Sequence, residues 1–317
     1  MYDQRFTLDS PTGAALNVRT ARARREPRGI LLVQHGLAEH SGRYERFAGE
    51  MAALGFEVFV HDHRGHGSTS ALDAPLRRFA KSNGAAKVVA DAHAVMVHAQ
   101  NEHWGLPVVV FGHSLGGSIA LNFAERHGAE LAGVAIWNAN LTFGLQERLA
   151  VQALKVERAL KGSDVGSRLF ARATFETWGR SVPGARTPAD WLSHDSAAVD
   201  AYLSDPLCGF TPTVSMAGDI VELVRQGGSA ERLTLLSPDL PLHVLGGSED
   251  PATAKGTAIE TLAARLRVNG ARRISAEVIA GARHETLNEI ELYRAPALAS
   301  LSVWLGRILA EHPTVDS

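Results

Sequence analysis

Three side chains that could carry out nucleophilic catalysis stand far apart along the sequence. Ser114 lies in the G-x-S-x-G segment 112–116, and Asp250 and His284 each come shortly after a predicted strand. A serine hydroxyl becomes a nucleophile when an imidazole takes its proton, and a carboxylate can hold that imidazole in the required tautomer. The chain order Ser, Asp, His is the one expected for this motif. The residues therefore predict acyl transfer, with Ser114 as nucleophile, His284 as base and Asp250 as its partner.

The segment around Ser114 predicts a sharp turn from a strand into a helix. Residues 108–111 (VVVF) are wholly apolar, and residues 117–126 have helical spacing of apolar side chains. A serine at such a turn is expected to have a strained backbone with positive φ. Gly112 and Gly116 lack the Cβ atoms that would crowd it. We therefore expect the hydroxyl of Ser114 to stand above the sheet edge, beside the helix N-terminus.

Two backbone N–H groups are predicted to stabilise the oxyanion that forms during acyl transfer. The first belongs to Leu115, which directly follows Ser114 at the start of the helix. The second belongs to Leu37, in the loop after the predicted strand 29–33. Gly36 precedes Leu37 and allows close approach of the backbone.

Other residue types near the predicted site suggest alternative chemistry. Glu249 adjoins Asp250 and could serve in its place. His61, His63 and His66 are close enough in sequence to suggest zinc. They stand at a strand end among glycines, however, which indicates a turn. We expect neither a metal nor a cofactor.

The composition is that of an ordinary globular protein. The chain has 317 residues, of which 45% are hydrophobic and 21% charged, with a net charge of -2. This charge implies no nucleic-acid partner. The single cysteine, Cys208, excludes an internal disulfide framework. With no apolar signal segment near the N-terminus and no apolar run long enough to span a membrane, we expect a cytoplasmic protein.

Strand and helix patterns alternate along most of the chain. This alternation predicts an α/β fold with a mostly parallel central sheet and helices on both faces. This alternation is interrupted at residues 142–232, where helical patterns follow one another with few strand candidates. We therefore expect a core formed by 1–141 and 233–317, with 142–232 as an inserted helical cap. The predicted core strands are 29–33, 56–60, 108–111, 131–137, 241–245 and 274–279.

The first predicted cap helix, residues 144–160, carries an apolar stripe. Leu145, Leu149 and Val156 lie on one side at helical spacing. We expect these three side chains to line a site for an acyl chain. Packing of the cap on the core would need the same stripe, so both interpretations stay open.

Four motifs carry a resemblance to a known family. They are the segments 35–44 (HGLAEHSGRY), 62–68 (DHRGHGS), 112–117 (GHSLGG) and 284–289 (HETLNE). In these motifs the chain resembles the α/β-hydrolase superfamily, within it the monoacylglycerol lipase and lysophospholipase-like branch, which is grouped with serine aminopeptidase-type hydrolases. The resemblance implies the same roles for Ser114, Asp250, His284, Leu37 and Leu115, and a lid-like cap over an acyl pocket.

We therefore expect a serine hydrolase of small carboxylic esters, with monoacylglycerol or lysophospholipid-like acyl esters as substrates and an acyl-enzyme as intermediate. The cap is expected to allow transient contact with a membrane surface. A peptidase that trims N-terminal residues is an alternative, which would need a cap carboxylate to hold the α-amine. Candidates are Glu147, Glu157, Glu176 and Glu222. A non-catalytic binding module on this fold is a further alternative, but it would have no need of three complementary catalytic side chains.

Overall fold

The computed structural model describes residues 1–312, apart from the side chain of Gln146. Within that part of the chain, nine strands form one sheet. In chain order they are β1 (Gln4–Asp9), β2 (Ala14–Ala21), β3 (Gly29–Gln34), β4 (Phe56–His61), β5 (Ser70–Ala71), β6 (Val108–His113), β7 (Gly133–Trp137), β8 (Leu242–Gly247) and β9 (Ile274–Ile279).

The sheet is parallel from β4 to its far edge. Its order is β1-β2-β4-β3-β6-β7-β8-β9, with β5 paired to β2. The pairs from β4 through β9 are parallel, whereas β2 runs antiparallel to β1, β4 and β5. Every residue of β3, β4, β6, β7 and β8 is buried, as apolar strands covered on both faces should be. The predicted α/β fold with a mostly parallel sheet is confirmed.

Helices cover both faces of this sheet. In chain order they are α1 (Glu45–Ala53), α2 (Gly84–Glu102), α3 (Leu115–His127), α4 (Leu145–Lys161), α5 (Arg168–Ala171), α6 (Thr177–Arg180), α7 (Ser196–Ser204), α8 (Val214–Gly227), α9 (Ala230–Leu233), α10 (Thr257–Val268) and α11 (Glu291–Glu311). Buried apolar side chains of α2, α3 and α10 form one core with one face of the sheet. Those of α1 and α11 form the second core on the other face. Among the described residues, no helix is both long and apolar enough to cross a membrane.

The helices α4 to α9 lie between β7 and β8 in the sequence, over much the same residues as the predicted cap. Here α8 packs against α3 of the core and against α4. A third, smaller apolar cluster contains Trp191, Leu192, Tyr202 and Cys208. These helices thus have packing partners of their own besides the sheet.

The helical spacing of apolar residues predicts a closing helix over 295–310, but the last helix of the structure begins earlier. It starts at Glu291 instead of residue 295, and it contains Pro296. Proline is most common in the first turn of a helix, whereas Pro296 lies beyond the first turn of this one. The additional turn includes Arg294, which is buried and donates a hydrogen bond of 2.8 Å from Nε to the Leu287 carbonyl.

Candidate active site

Ser114 occupies a strained turn between β6 and α3. Its φ is 56° and its ψ is -117°, and α3 begins at the next residue. A Cβ on Gly112 would lie 2.1 Å from the Gly116 carbonyl oxygen, and one on Gly116 would lie 2.0 Å from the Gln34 carbonyl oxygen. Both positions therefore require glycine, because the turn and the neighbouring strand β3 leave no room for a side chain. The turn is further fixed by a 2.8 Å hydrogen bond from the Ser114 N–H to the Trp137 carbonyl.

The structure brings the side chains of Ser114, His284 and Asp250 into one line. His284 Nε2 lies 3.0 Å from Ser114 Oγ. His284 Nδ1 lies 3.0 Å from both carboxylate oxygens of Asp250. Ser114 follows β6, Asp250 follows β8, and His284 lies in the loop after β9, so the carboxyl ends of parallel strands position all three. This geometry allows His284 to take the hydroxyl proton while Asp250 stabilises the imidazolium.

The carboxylate of Asp250 is buried but well supplied with donors. Its Oδ1 accepts a 2.9 Å hydrogen bond from the Ala252 N–H, and its Oδ2 accepts one of 3.1 Å from Asn138 Nδ2. Burial opposes ionisation, but His284 and the Asn138 amide outweigh it and lower the pKa of Asp250. Asp250 thus remains an anion opposite His284. The rival acid, Glu249, has a side chain that is 55% exposed and lies beside His194 instead.

Asn138 is a member of the site that the sequence interpretation missed. It has a positive φ of 51° and directly follows β7. Its Nδ2 donates to Asp250, while its Oδ1 accepts a 2.9 Å hydrogen bond from the Thr286 hydroxyl. The available signal was its place at the carboxyl end of the strand between those of Ser114 and Asp250.

The two predicted oxyanion donors lie at the same cavity as Ser114. Leu37 and Leu115 both line it. Within residues 1–312, neither backbone N–H donates a hydrogen bond to another group of the protein. The Gly36 N–H, by contrast, is held by a 2.6 Å hydrogen bond to Glu39 Oε1. The arrangement leaves two free N–H donors beside the nucleophile.

A buried ionic network links the loop that carries Leu37 to the loop that carries His284. Glu39 accepts a 2.7 Å hydrogen bond from Arg43, which also donates to both carboxylate oxygens of Glu285 at 2.5 and 2.7 Å. His113 Nδ1 lies 3.5 Å from Glu39. Burial favours the neutral acid, yet His113 and Arg43 lower the pKa of Glu39 well below its usual range. The network therefore fixes both loops against each other through charge pairs that are shielded from water.

Four buried histidines lie under the Leu37 loop. They are His35, His61, His63 and His66, and burial is the largest cause of the lowered pKa of each. No three of their ring nitrogens lie close enough together to bind one metal ion, so the predicted turn, and not a zinc site, describes His61, His63 and His66. In the part of the chain that the structure describes, groups of three possible metal ligands occur elsewhere, at His40, Asp205 and Cys208 and at His93, His127 and Glu130.

Ser114 and His284 open into a cavity of about 250 Å³ with largely apolar walls. Its aromatic residues are Phe143, Phe170, Phe175, Trp178, Trp191 and Tyr202, and its aliphatic ones include Leu192, Ile220, Val221 and Val224. Most of these residues belong to the segment between β7 and β8. The cavity therefore offers a chain of methylenes an apolar surface next to the nucleophile.

The three leucine and valine side chains predicted to line the acyl site do not line this cavity. Leu145, Leu149 and Val156 are 74%, 62% and 58% exposed. The opposite face of α4 points inward, where Glu147 and Ala150 line the cavity and Leu154 is buried. The periodicity located the stripe but could not tell which side of the helix the core would cover. The prediction that these three side chains line the acyl site is therefore wrong, because they face solvent.

Comparisons with known proteins find a family and several enzymes that are similar to this chain. The family described as "Serine aminopeptidase, S33" matches residues 25–291. A monoacylglycerol lipase of Mycolicibacterium smegmatis is 29% identical over 273 residues, which cover 84% of each chain. The human monoglyceride lipase is 38% identical over 117 residues, 35% of this chain and 34% of that one.

A solved structure gives the same fold over nearly the whole chain. It is a thermostable carboxyl esterase from Bacillus coagulans in complex with glycerol, with a TM-score of 0.87, 24% identity and coverage of 98% of this chain and 99% of that one. The lipase relatives support the predicted serine ester hydrolase function. The chain belongs to the serine aminopeptidase S33 family, in the monoacylglycerol lipase-like branch of the α/β-hydrolases.

Proposed function

We propose that this protein hydrolyses monoacylglycerols and similar single-chain esters through an acyl-enzyme on Ser114. The observation that carries the proposal is the line Ser114, His284 and Asp250 at the wall of an apolar cavity. The names of the lipase relatives support the same substrate class. A non-catalytic binding module would not need an imidazole within hydrogen-bonding distance of both a hydroxyl and an ionised acid.

The reaction follows from the positions of these groups. Ser114 Oγ attacks the ester carbonyl carbon as His284 Nε2 takes the hydroxyl proton. The N–H groups of Leu37 and Leu115 stabilise the resulting oxyanion. The tetrahedral intermediate collapses, His284 protonates the leaving alcohol, and the acyl group stays on Ser114. Water then attacks the acyl-enzyme with His284 as base, and the carboxylic acid leaves.

The charges around the cavity favour a neutral head group. Among the described residues that line it there is no lysine or arginine. Glu147 contributes a carboxylate, and those of Glu39 and Glu285 are already paired with Arg43, which does not line the cavity. A lysophospholipid would bring a phosphate close to Glu147, and no lysine or arginine of the described cavity wall would compensate its charge. Asn140 and Thr142 offer neutral hydrogen-bonding groups instead. We therefore favour a glycerol ester over a lysophospholipid.

The peptidase alternative has one acid at the cavity. Of the four predicted candidates, only Glu147 lines it, and its carboxylate accepts a 2.6 Å hydrogen bond from the Gly144 N–H. Glu157 is bound by Ser167 and Lys161. Glu176 pairs with Arg180, and Glu222 pairs with Arg225. An α-ammonium group would therefore have to compete with the Gly144 N–H, at the start of α4, for the carboxylate of Glu147.

Residues 142–232 are proposed to act as the cap of this site and to contact lipid surfaces. We define the outward stripe as Leu145, Leu149, Val156 and Leu160, all exposed on one side of α4. Apolar side chains presented along one helix face are suited to the boundary between headgroups and acyl chains. Replacing Leu149 and Val156 together by Ser should lower kcat/KM on vesicle-borne ester and leave a water-soluble ester unchanged. Val303→Ser on α11, a residue exposed to the same degree, is the control.

The substrate class is tested with a panel of monoacylglycerols of rising chain length, matched lysophospholipids and aminoacyl amides. We expect the highest kcat/KM for a monoacylglycerol and none above background for Ser114→Ala. A preference for aminoacyl amides would overturn the assignment in favour of the peptidase. A preference for lysophospholipids would contradict the argument from charge. A cytoplasmic location stays a prediction from composition.

A further inference from the structure

We propose that His35 positions the oxyanion donor Leu37 by fixing the orientation of the peptide group between Gly36 and Leu37. This inference rests on the proposed function, because it assigns a role within the same site. His35 is fully buried below the loop and has no contact with the cavity. Its effect on the reaction would therefore pass through the backbone.

The first observation is the contact of the His35 ring with the next residue. His35 Nδ1 lies 2.7 Å from the Gly36 carbonyl oxygen. That carbonyl and the Leu37 N–H belong to one peptide group, which is trans as are all described peptide bonds. In a trans peptide the C=O and N–H point in opposite directions. Holding the carbonyl against the buried ring thus directs the Leu37 N–H away from the ring, toward the cavity that Leu37 lines.

The hydrogen-bond partners determine which tautomer His35 must have. The His63 backbone N–H lies 2.9 Å from His35 Nε2, so this nitrogen accepts a hydrogen bond and carries no proton. The proton of the neutral ring is then on Nδ1, where it is donated to the Gly36 carbonyl. Burial, opposed by Glu39 and Asp62, lowers the pKa of His35 and favours this neutral form. His63 also donates from Nε2 to the His35 carbonyl at 3.1 Å, which ties the two residues together twice.

The second observation is that the peptide on the other side of Gly36 is fixed separately. Glu39 Oε1 accepts the Gly36 N–H at 2.6 Å and thereby holds the peptide between His35 and Gly36. This leaves a flip of the next peptide as the free movement, by coupled rotation about ψ of Gly36 and φ of Leu37, and glycine permits it more readily than other residues. Such a rotation would turn the Gly36 carbonyl toward the cavity and the Leu37 N–H away from it. The hydrogen bond from His35 Nδ1 opposes this one rotation.

Two variants distinguish the hydrogen bond made by His35 Nδ1 from the one made by His35 Nε2. His35→Gln places an acceptor near Nε2 but offers no donor at Nδ1, whereas His35→Asn places an amide donor near Nδ1. We expect H35Q to lower kcat by roughly 10- to 100-fold at nearly unchanged KM, short of the loss for removing an oxyanion donor outright. We expect H35N to recover most of that loss. The affinity for a boronic acid, whose adduct with Ser114 places an oxygen at the oxyanion donors, should fall in parallel with kcat.

The matched control is His61→Gln, the same substitution at another fully buried histidine. His61 makes no hydrogen bond to residues 35–37 through its side chain, whose two ring nitrogens have no partner among the described residues. We expect H61Q to retain kcat within about twofold. Wild-type kcat and boronic acid affinity in folded H35Q would overturn the proposal. So would equal losses in H35N, H35Q and H61Q, since these would show a general effect of changing a buried ring.

A measurement on the wild-type protein keeps the proposal testable even if H35Q does not fold. Nitrogen NMR of protein labelled in its histidines should show one ring, absent from the H35N spectrum, with its proton on Nδ1 across neutral pH. A proton on Nε2 of that ring would contradict the proposal. If the wild-type protein hydrolyses no ester at all, the proposed function fails, whereas the tautomer result still stands by itself.

Discussion

His113 Nε2 donates a hydrogen bond of 3.0 Å to the backbone carbonyl of His284. His113, which directly precedes the nucleophile Ser114, therefore fixes the backbone of His284, the residue that acts as its base. The bond joins the end of β6 to the loop after β9, which are 171 residues apart in sequence. Burial disfavours the charged ring, but Glu39 and the His284 carbonyl prevail and raise the pKa of His113.

We expect loss of this bond to lower kcat more than KM. His113→Ala frees the His284 loop, and misplacement of a catalytic group by about 1 Å can cost on the order of 100-fold. We expect a 10- to 100-fold decrease in kcat, on this principle. His113→Gln keeps a donor near Nε2 and should restore most of the activity. Equal losses in both variants, measured as kcat on a soluble ester, would show that the bond is not the cause.

Asn138 should matter through the charge of Asp250. Asn138→Asp puts a second carboxylate beside Asp250, and like charges this close raise the pKa of one member of the pair. Asn138→Gly removes the donor but suits the positive φ of 51°. We expect N138D to lower kcat further than N138G and to shift the acid limb of the kcat profile to higher pH. An N138D profile that matches the wild type would contradict this role.

Gly116 should tolerate no side chain. Its Cβ would lie 2.0 Å from the Gln34 carbonyl oxygen, which is backbone and cannot move aside cheaply. We expect Gly116→Ala to lower the free energy of unfolding by about 3 kcal/mol or more, at the upper end of overpacking effects. The control is Gly306→Ala in α11, where nothing lies within 4 Å and alanine should stabilise the helix by up to about 1 kcal/mol. Urea denaturation measures both, and a folded, wild-type-like G116A would refute the packing argument.

Acidification should destabilise the protein through its buried, neutral histidines. Burial lowers the pKa of His61 to about 4, of His66 to about 3 and of His243 to about 4, from 6.5. At a pH between the lowered pKa of the folded state and the 6.5 of the unfolded chain, the unfolded chain binds more protons than the folded one. Stability therefore falls as pH drops below about 6.5. Glu125 and Asp219, whose pKa values burial raises to about 7 and about 6, act in the opposite direction.

His113, whose pKa is raised, also opposes the effect, but His35, His63 and His93 add to it because their pKa values are lowered. The histidines with a lowered pKa are thus the larger group, so we expect the net free energy of unfolding to fall between pH 6.5 and 4. The slope of the unfolding free energy against pH measures how many more protons the unfolded chain binds. His61→Phe should reduce this slope by about one proton, or about 1.4 kcal/mol per pH unit. Urea denaturation at several pH values gives the slope for both proteins. A stability that is constant or rises over this range would contradict the assignment of neutral buried histidines.

Much of the sheet and the positions of Ser114, Asp250 and His284 could be predicted from sequence because local patterns encode them. The run 108–111 followed by G-x-S-x-G defines a strand and its turn, and the carboxyl ends of parallel strands must meet. The inward face of α4 could not be predicted, because both of its sides carry apolar residues and only packing on α8 decides between them. Asn138 was missed for a related reason. Its importance comes from Asp250 and Thr286, which are distant in sequence and become neighbours only in the fold.

Transfer of the acyl group to the oxygen of Ser114 can be observed by rapid-quench kinetics. Mixing the protein with excess p-nitrophenyl ester should release a burst of nitrophenol close to one equivalent if deacylation is slow, and mass analysis of the quenched protein should place the acyl group on Ser114. Ser114→Ala should show neither the burst nor the adduct. Undiminished turnover by Ser114→Ala, or an acyl group found on another residue such as Cys208, would contradict catalysis through Ser114.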